Sequence, residues 1–436
     1  MSVEAGIISM VILVVMLGIR VPIGIALLSV AFGGLWYLRG FGPSMGALRS
    51  IPVDFVSHWT FSAVPMFILM SAVASRAGIT TELYKSMRLW FGRLPGGLAI
   101  ATSFAGAGFA AICGSSLATT AAMGRIAVPE MLRQGYDKGL ATGCAAAVGT
   151  VGALIPPSII MVIYALFAEV SVSKMLIAGV VPGLLTTVVY AVMIFTRCTI
   201  SPKLAPRSDL SGVTLSDKFS SLKRVWPVAV IAVAMVGAIY GGIATATEAG
   251  AVGAIATGLV AWSQRSFRMS ELREAAIETA TTSGALFLIA IGASLLSQYL
   301  ALTGLPAFLS DHITGLTTNP ILIILICCVL YLILGAFLDT LGIMLLTLPI
   351  LLPIFASAGI NEIWAGVILV KMLEIGLLTP PVGMNVFVMS RVVGKEVRLG
   401  TIFKGISWFL AAEVVIMALL IAFPELILAL PNMMTS

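Results

Sequence analysis

Two pairs of adjacent prolines interrupt apolar stretches that would otherwise be continuous membrane-spanning helices. The pairs lie in GALIPPSIIM (152–161) and in GLLTPPVGMN (376–385). A proline inside a helix removes a main-chain donor and displaces the preceding turn, which leaves carbonyl oxygens without partners. In hydrocarbon such a break persists only where protein, water or an ion satisfies those oxygens. Because free carbonyls at half-helix ends suit a hard cation such as Na⁺, the two breaks predict cation sites.

Oxygen-bearing side chains precede each proline break, at the centre of a longer apolar stretch. The second stretch, LILGAFLDTLG, contains Asp339 and Thr340. A carboxylate at membrane depth is costly unless a cation or a proton neutralises it, which makes Asp339 a candidate cation ligand. The alternative role for Asp339 is to cap the half-helix that follows it. The first stretch, AAICGSSLATTAAM, offers hydroxyls that can ligate a cation: Ser115, Ser116, Thr119 and Thr120.

The composition excludes an ordinary soluble domain. Of the 436 residues, 59% are hydrophobic and 10% are charged, whereas charged residues make up about a quarter of a soluble chain. Apolar runs of about 18 to 25 residues recur along the sequence, which predicts a polytopic helical membrane protein rather than a barrel of alternating strands. The net charge of +6 is assigned to cytoplasmic loops and not to nucleic-acid binding. Five scattered cysteines and two distant histidines argue against a transition-metal site.

The distribution of basic residues predicts how the chain is threaded through the membrane. The longest polar segment, 199–224, carries an excess of lysine and arginine and is therefore assigned to the cytoplasm. If the apolar stretches 95–133 and 320–357 are re-entrant hairpins, nearly all basic residues share the side of that linker. If either stretch is treated as a full span, the basic residues no longer collect on one side of the membrane. The exceptions are Arg39, Arg49 and Lys174, assigned to the outside, and Lys371, which falls within a span.

The sequence aligns with itself after a shift of 224 positions, so that Pro156 and Pro157 match Pro380 and Pro381. Each half is predicted to contain five crossings, a re-entrant hairpin and a proline-broken helix, and an odd number of crossings inverts the second half. Two equivalent breaks also favour binding sites over simple proline kinks. The predicted fold class is all-α, with two inverted repeats and both chain ends outside the cytoplasm. The segments are repeat 1 (1–198, broken helix 138–168), the linker (199–224) and repeat 2 (225–436, broken helix 362–391).

Several further charged residues fall within or beside predicted spans. Lys371 and Glu374 are three residues apart, the spacing of an ion pair within one helix, which predicts mutual neutralisation. Glu248 opens a helix and Glu413 lies in the last span, and both are weaker candidates for a functional role. Arg125 follows the first group of hydroxyls along the chain. It either attracts an anionic substrate or extends to the cytoplasmic face.

Five motifs together resemble the large membrane subunit of TRAP (tripartite ATP-independent periplasmic) transporters. They are GSSLATTAAMGRIAVPEM, GALIPPSIIMVIYA, TATEAGAVGA, GAFLDTLGIMLLTLPILLPI and LLTPPVGMNVFVM. The similarity extends over nearly the whole chain. That family has an ion-transporter fold, so the resemblance implies two inverted repeats arranged as a scaffold and a mobile, elevator-type transport domain that carries the hairpins and the broken helices.

The resemblance implies a secondary transporter of the bacterial inner membrane and not an enzyme. Such a protein uses a Na⁺ gradient to import an organic acid, typically a C4-dicarboxylate, sialic acid or a similar carboxylate. A periplasmic binding protein delivers the substrate, and a small four-helix membrane subunit supports the scaffold within the lipid bilayer. Na⁺ is the coupling ion, and neither an organic cofactor nor a nucleic-acid partner is expected.

The resemblance also implies which residues hold ions and substrate. Each Na⁺ site would lie between a hairpin and the break that follows it, with substrate between the two hairpin tips. The first Na⁺ site would use Ser115, Ser116, Gly149, Gly152 and Pro157. The second would use Asp339, Thr340, Gly376, Thr379 and Pro381. The substrate region would include Ser116, Thr119, Thr120, Arg125, Thr340 and Asn385.

Two other classes of membrane protein fit the sequence less well. An antiporter-like subunit of a respiratory complex would relay protons or other ions through buried lysines on successive helices, and Lys371 with Glu374 matches that pattern only weakly. An intramembrane protease would need a pair of aspartates or a serine with a histidine at membrane depth. Asp339 has no evident acidic partner, and both histidines lie outside the most apolar segments.

Overall fold

The computed structural model describes residues 2–206, 212–263, 268–317 and 319–434. Within these ranges the chain forms α-helices joined by turns and short 3-10 segments, and no β-strand occurs. The all-α class predicted from the continuous apolar runs is therefore confirmed. Residues 207–211, in the middle of the predicted linker 199–224, lie outside the described ranges.

Eleven α-helices form from the described residues that precede the linker. The first five lead up to the first predicted hairpin, and the last six form it, the broken helix after it and the helices before the linker. They are α1 (Val3–Gly18), α2 (Ile23–Arg39), α3 (Phe41–Ser57), α4 (Ala63–Arg76), α5 (Ile79–Phe91), α6 (Gly97–Cys113), α7 (Ser116–Arg133), α8 (Lys138–Val148), α9 (Ile159–Phe167), α10 (Val172–Ala178) and α11 (Val180–Ile200).

Ten α-helices form from the described residues that follow. They include a counterpart of the hairpin and of the broken helix. They are α12 (Leu215–Tyr240), α13 (Ala246–Ser263), α14 (Met269–Thr303), α15 (Leu305–Leu316), α16 (Pro320–Gly335), α17 (Thr340–Ser357), α18 (Glu362–Gly376), α19 (Met384–Val393), α20 (Leu399–Ala422) and α21 (Glu425–Met433).

Both predicted hairpins are interrupted where small or polar residues occur in the sequence. Helices α6 and α7 meet at residues 113–120, called here the first tip, where Gly114 has a left-handed φ of +62°. Helices α16 and α17 meet at residues 335–340, the second tip. A left-handed residue favours glycine, because a Cβ would crowd the main chain.

Both proline pairs also interrupt helices. Helix α8 gives way to a 3-10 turn, and α9 starts only at Ile159; residues 149–158 are called the first break. Helix α18 ends before α19 begins, and residues 376–383 are called the second break. The proline-proline bond is cis in each break. The prolines of the first break are buried, whereas Pro380 and Pro381 in the second are exposed.

Side-chain caps mark the start of the half-helices beside the tips and breaks. Ser115 caps α7 by accepting a hydrogen bond from the amide of Ala118 at 3.4 Å, and Ser158 caps α9 in the same way. Asp339 caps α17, because its Oδ2 accepts from the amide of Leu341 at 3.2 Å. The first N–H groups of a helix have no partner within it, so an oxygen at this position stabilises each new start.

Some elements differ from the sequence prediction. Helices α3 and α5 were not predicted, because neither has a long apolar run: α3 contains Pro52, and α5 is amphipathic and charged. Helix α12 starts at Leu215 behind a capping box formed by Thr214 and Asp217, so the end of the predicted linker is helical. The predicted last span is two helices, α20 and α21, separated near Pro424.

Apolar side chains cover the outside of several helices. On α1, Ile8, Val11 and Val14 are each more than half exposed, as are Val252 and Ile255 on α13. Among the described residues, four helical stretches are long and apolar enough to cross a membrane: Val172–Ile200, α14, α17 and α20. The bent pair of α3 with α4 would make a fifth. The other predicted crossings are shorter or broken. The ten crossings and the re-entrant course of the hairpins stay predictions.

Candidate ion and substrate site

The first tip packs main chain against main chain on the first break. A Cβ on Gly114 would lie 2.1 Å from the carbonyl oxygen of Pro157, and one on Gly152 would lie 2.9 Å from the carbonyl oxygen of Ser115. Only glycine allows such close approach. The family resemblance implied that Ser115, Gly152 and Pro157 belong to one Na⁺ site. The structure brings the first tip and the first break into contact, and ion binding there stays a prediction.

Gly149 lies at the centre of the same junction. A Cβ there would lie 2.0 Å from Oγ1 of Thr120, 2.8 Å from the carbonyl oxygen of Ser116 and 3.0 Å from Nδ2 of Asn385. Asn385 belongs to α19 in the second half of the chain and is fully buried. The packing of the first tip on the first break, called here the first junction, therefore includes a residue from each half of the chain. It gathers two oxygens, one hydroxyl and one main-chain, around Gly149.

Replacing Gly114 with alanine is expected to force the first tip away from the first break. The new Cβ would meet the Pro157 carbonyl at a backbone position with positive φ, so overpacking should lower the free energy of unfolding by about 1–3 kcal/mol. Thermal unfolding of the purified protein measures the change. Gly258→Ala on α13 is the matched control, since nothing lies within 4 Å of its Cβ position. Equal stability of the two variants would contradict the close packing of the junction.

The second tip meets the second break through two glycines. A Cβ on Gly335 would lie 3.0 Å from Cα of Gly376, and one on Gly376 would lie 2.7 Å from Cα of Gly335. The hydroxyl of Thr379 donates to the carbonyl of Ile375 at 2.8 Å in its own helical segment. The carboxylate of Asp339 is half-buried and caps α17. Capping, one of its two predicted roles, is thus observed, and cation coordination stays a prediction.

The predicted pairing of Lys371 with Glu374 is wrong. Nζ of Lys371 lies 2.8 Å from Oε1 of Glu413 on α20 and donates to Thr186 on α11 at 3.0 Å. Glu374 instead accepts a hydrogen bond from the hydroxyl of Ser116 at 2.5 Å. The spacing of residues along one helix identifies only partners within that helix. Here Lys371 and Glu374 bind residues of other helices instead of each other.

Glu413 connects the buried lysine to the first break. The Tyr190 hydroxyl donates to the same Oε1 of Glu413, and the Thr150 hydroxyl lies 3.5 Å from it. Thr150 belongs to the 3-10 turn of the first break. One buried carboxylate therefore links α11, α18, α20 and the first break.

The predicted substrate residues divide into two groups. Ser116, Thr119, Thr120, Thr340 and Asn385 are buried at the tips or at the first junction. Arg125 is exposed, and its Nε donates to the carbonyl of Ala121 on its own helix at 3.2 Å. No contact described for Arg125 brings it to the first junction. Glu248 is also exposed and caps α13, where its Oε2 accepts from the amide of Thr245 at 2.8 Å.

Sequence reasoning missed Glu374 as a partner of the first tip. It also missed Tyr190 and Thr186 beside the buried ion pair. No local signal identifies them, because each partner comes from a helix that is distant in sequence.

The architecture is that of a polytopic helical membrane protein. It is similar to the solved structure of the YdaH transporter from Alcanivorax borkumensis, with a TM-score of 0.65 over 88% of this chain and 89% of that one. The sequences are 15% identical, so this likeness establishes the fold alone.

The chain belongs to the family of the DctM component of tripartite ATP-independent periplasmic transporters, whose model matches residues 10–426. It is 35% identical over 408 residues to the C4-dicarboxylate TRAP transporter large permease protein of Pseudomonas aeruginosa, covering 93% of this chain and 94% of that protein. It is 30% identical over 415 residues to the sialic acid TRAP transporter large permease protein of Vibrio cholerae, covering 94% and 95%. The resemblance found in the motifs is confirmed: the chain is a TRAP large permease, a multi-pass inner-membrane protein whose relatives are permeases and not enzymes.

Proposed function

We propose that this permease couples the inward movement of Na⁺ to the import of an organic acid. The observation that carries the proposal is the contact of the first tip with the first break. There the carbonyl oxygen of Pro157 approaches Gly114, and those of Ser115 and Ser116 approach Gly152 and Gly149. Main-chain oxygens freed at helix breaks are the ligands that transporters of this kind use for Na⁺. The glycine contact between Gly335 and Gly376 supports a second site of the same design.

The substrate is proposed to bind between the two tips. The polar groups proposed to contact the organic acid are the hydroxyls of Thr119, Thr120 and Thr340 and the amide nitrogen of Asn385, all of which belong to buried side chains. The relatives named for C4-dicarboxylate and sialic acid support a carboxylate substrate of one of these kinds. In this proposal a periplasmic binding protein delivers the acid, and a small four-helix membrane subunit buttresses the scaffold.

Transport is proposed to occur by an elevator movement. The two tips and two breaks would move together as one domain, because the first junction already contains residues from both halves of the chain. Close glycine contacts would let each tip separate from and return to its break without a change in the rest of the domain. The inverted repeats would supply the two related end states.

Uptake into proteoliposomes tests the proposed function. The permease is reconstituted with its small subunit and binding protein, and labelled organic acids are added with an inward gradient of NaCl or of choline chloride. We expect uptake that requires both Na⁺ and the binding protein. Equal uptake in choline chloride would contradict Na⁺ coupling. Uptake that persists without the binding protein would contradict the proposed delivery of the acid.

The antiporter-like alternative receives little support. Among the described residues, Lys371 is the one fully buried lysine, and its partners are Glu413 and Thr186. A relay of protons across several helices would need further buried lysines.

A further inference from the structure

The two tips differ in charge although they occupy equivalent positions in the sequence. The second tip carries the carboxylate of Asp339, whereas the first carries Ser115 and Ser116 at the matching positions. A monovalent cation at the second tip would therefore meet a negative charge from its own hairpin. The first tip, residues 113–120, has no acidic side chain of its own, since the one carboxylate of α7, Glu130, lies ten residues beyond the tip.

A carboxylate from the other half of the chain lies against the first tip. Oε2 of Glu374, on α18, accepts a hydrogen bond from Oγ of Ser116 at 2.5 Å. The Glu374 side chain is 0% exposed. Among the described residues, its Oε1 has no hydrogen-bond partner. Oε2 of Glu374 therefore binds the Ser116 hydroxyl, and Oε1 is available to a ligand.

No basic side chain in the described ranges forms an ion pair with Glu374. The nearest candidate along the helix is Lys371, whose ammonium group binds Glu413 and Thr186 instead. The buried group of Lys371, Glu374 and Glu413 thus carries one positive and two negative formal charges. A buried carboxylate is costly unless a cation or proton compensates it.

The amide of Asn385 is a second unpartnered polar group at this place. Neither its Oδ1 nor its Nδ2 has a hydrogen-bond partner among the described residues, and the side chain is 0% exposed. Its Nδ2 lies 3.0 Å from the Cβ position of Gly149, which is also in contact with the carbonyl of Ser116. Buried polar atoms nearly always have partners, so two such groups at one junction point to a ligand.

We propose that Glu374 is the charged ligand of a Na⁺ ion at the first tip and that Asn385 contributes its amide oxygen. This inference rests on the proposed Na⁺ coupling and adds the residues that balance the charge. Each tip then has one carboxylate: Asp339 from its own hairpin at the second, and Glu374 from the opposite half at the first. Because Glu374 precedes Gly376 by two residues, the first ion contacts the helix that leads into the second break.

Na⁺ binding to the purified full-length permease tests this assignment. Titration with NaCl at constant ionic strength, balanced by choline chloride, is followed by calorimetry and by the shift in unfolding temperature. We expect Glu374→Gln to weaken Na⁺ binding at one site by about tenfold or more, because losing even a residue that supports the ligands of a metal site lowers metal affinity by that factor. Glu362→Gln, which changes a carboxylate at the start of the same helix, is the matched control and should bind Na⁺ as the unsubstituted protein does.

The outcomes separate this inference from the proposed function. If the unsubstituted protein shows no Na⁺ binding, Na⁺ coupling itself is contradicted. If it binds Na⁺ and Glu374→Gln binds Na⁺ equally well, only the role of Glu374 is contradicted. The role of Glu374 is also contradicted if the substitution removes only the pH dependence of Na⁺ binding, since a proton then balances the charge of Glu374. Should Glu374→Gln fail to fold, Glu374→Asp and Asn385→Leu replace it. Unchanged Na⁺ affinity in both of these variants would overturn the proposal.

Discussion

Asp339→Asn is expected to abolish Na⁺-driven uptake while the protein remains folded and inserted in the membrane. The carboxylate of Asp339 caps α17 through Oδ2, and the side-chain oxygen of asparagine caps a helix about as well. The substitution therefore keeps the local structure and removes the negative charge. Loss of a charged ligand at membrane depth should prevent cation binding at the second tip.

The measurement is uptake of the organic acid into proteoliposomes under a Na⁺ gradient, with folding checked by size-exclusion chromatography and thermal unfolding. Asp137→Asn is the matched control, because Asp137 also caps a helix, α8, but is exposed and away from both tips. It should transport normally. Unchanged uptake and Na⁺ dependence in Asp339→Asn would show that Asp339 serves only as a cap.

Lys371→Met is expected to lower the free energy of unfolding by about 3–5 kcal/mol, since it leaves the buried carboxylate of Glu413 without its cation. The two side chains are 0% and 1% exposed and lie 2.8 Å apart. Replacing both, as Lys371→Met with Glu413→Leu, should recover much of the loss, because two apolar groups replace a matched pair. Thermal or denaturant unfolding in detergent measures each variant.

An exposed ion pair of the same length is the control for this prediction. Nζ of Lys85 also lies 2.8 Å from a carboxylate oxygen, that of Glu82, but the two side chains are 57% and 31% exposed. Lys85→Met should therefore change stability by no more than about 1 kcal/mol. If Lys371→Met lowers the free energy of unfolding by no more than Lys85→Met does, the buried ion pair does not stabilise the packing of α18 against α20.

The breaks and the tips could be predicted from sequence because they follow from backbone chemistry. Two adjacent prolines each remove a main-chain donor and disfavour a continuous helix, and this placed both breaks, at Pro156 and at Pro380, where the structure has them. Gly114 and Asp339 likewise mark the two turns between half-helices. Such signals are local, and they need no knowledge of the tertiary fold.

The partners of buried charges could not be predicted in the same way. The spacing of Lys371 and Glu374 favours an intrahelical pair, yet each binds a residue more than 40 positions away in sequence. The amphipathic helix α5 was missed for a related reason, because the search for long apolar runs passes over helices with charged faces. Contacts between distant helices decide the partners of the buried charges, and the spacing of residues along one helix carries no information about those contacts.

A high-resolution cryo-electron microscopy map of the permease in NaCl, compared with one in choline chloride, addresses the placement of the ions. We expect Na⁺-dependent density at two places: at the first junction, among Ser116, Pro157 and Glu374, and at the second, between Asp339 and the second break. Maps in which both places are identical in the two salts, while uptake still requires Na⁺, would show that the coupling ions bind elsewhere.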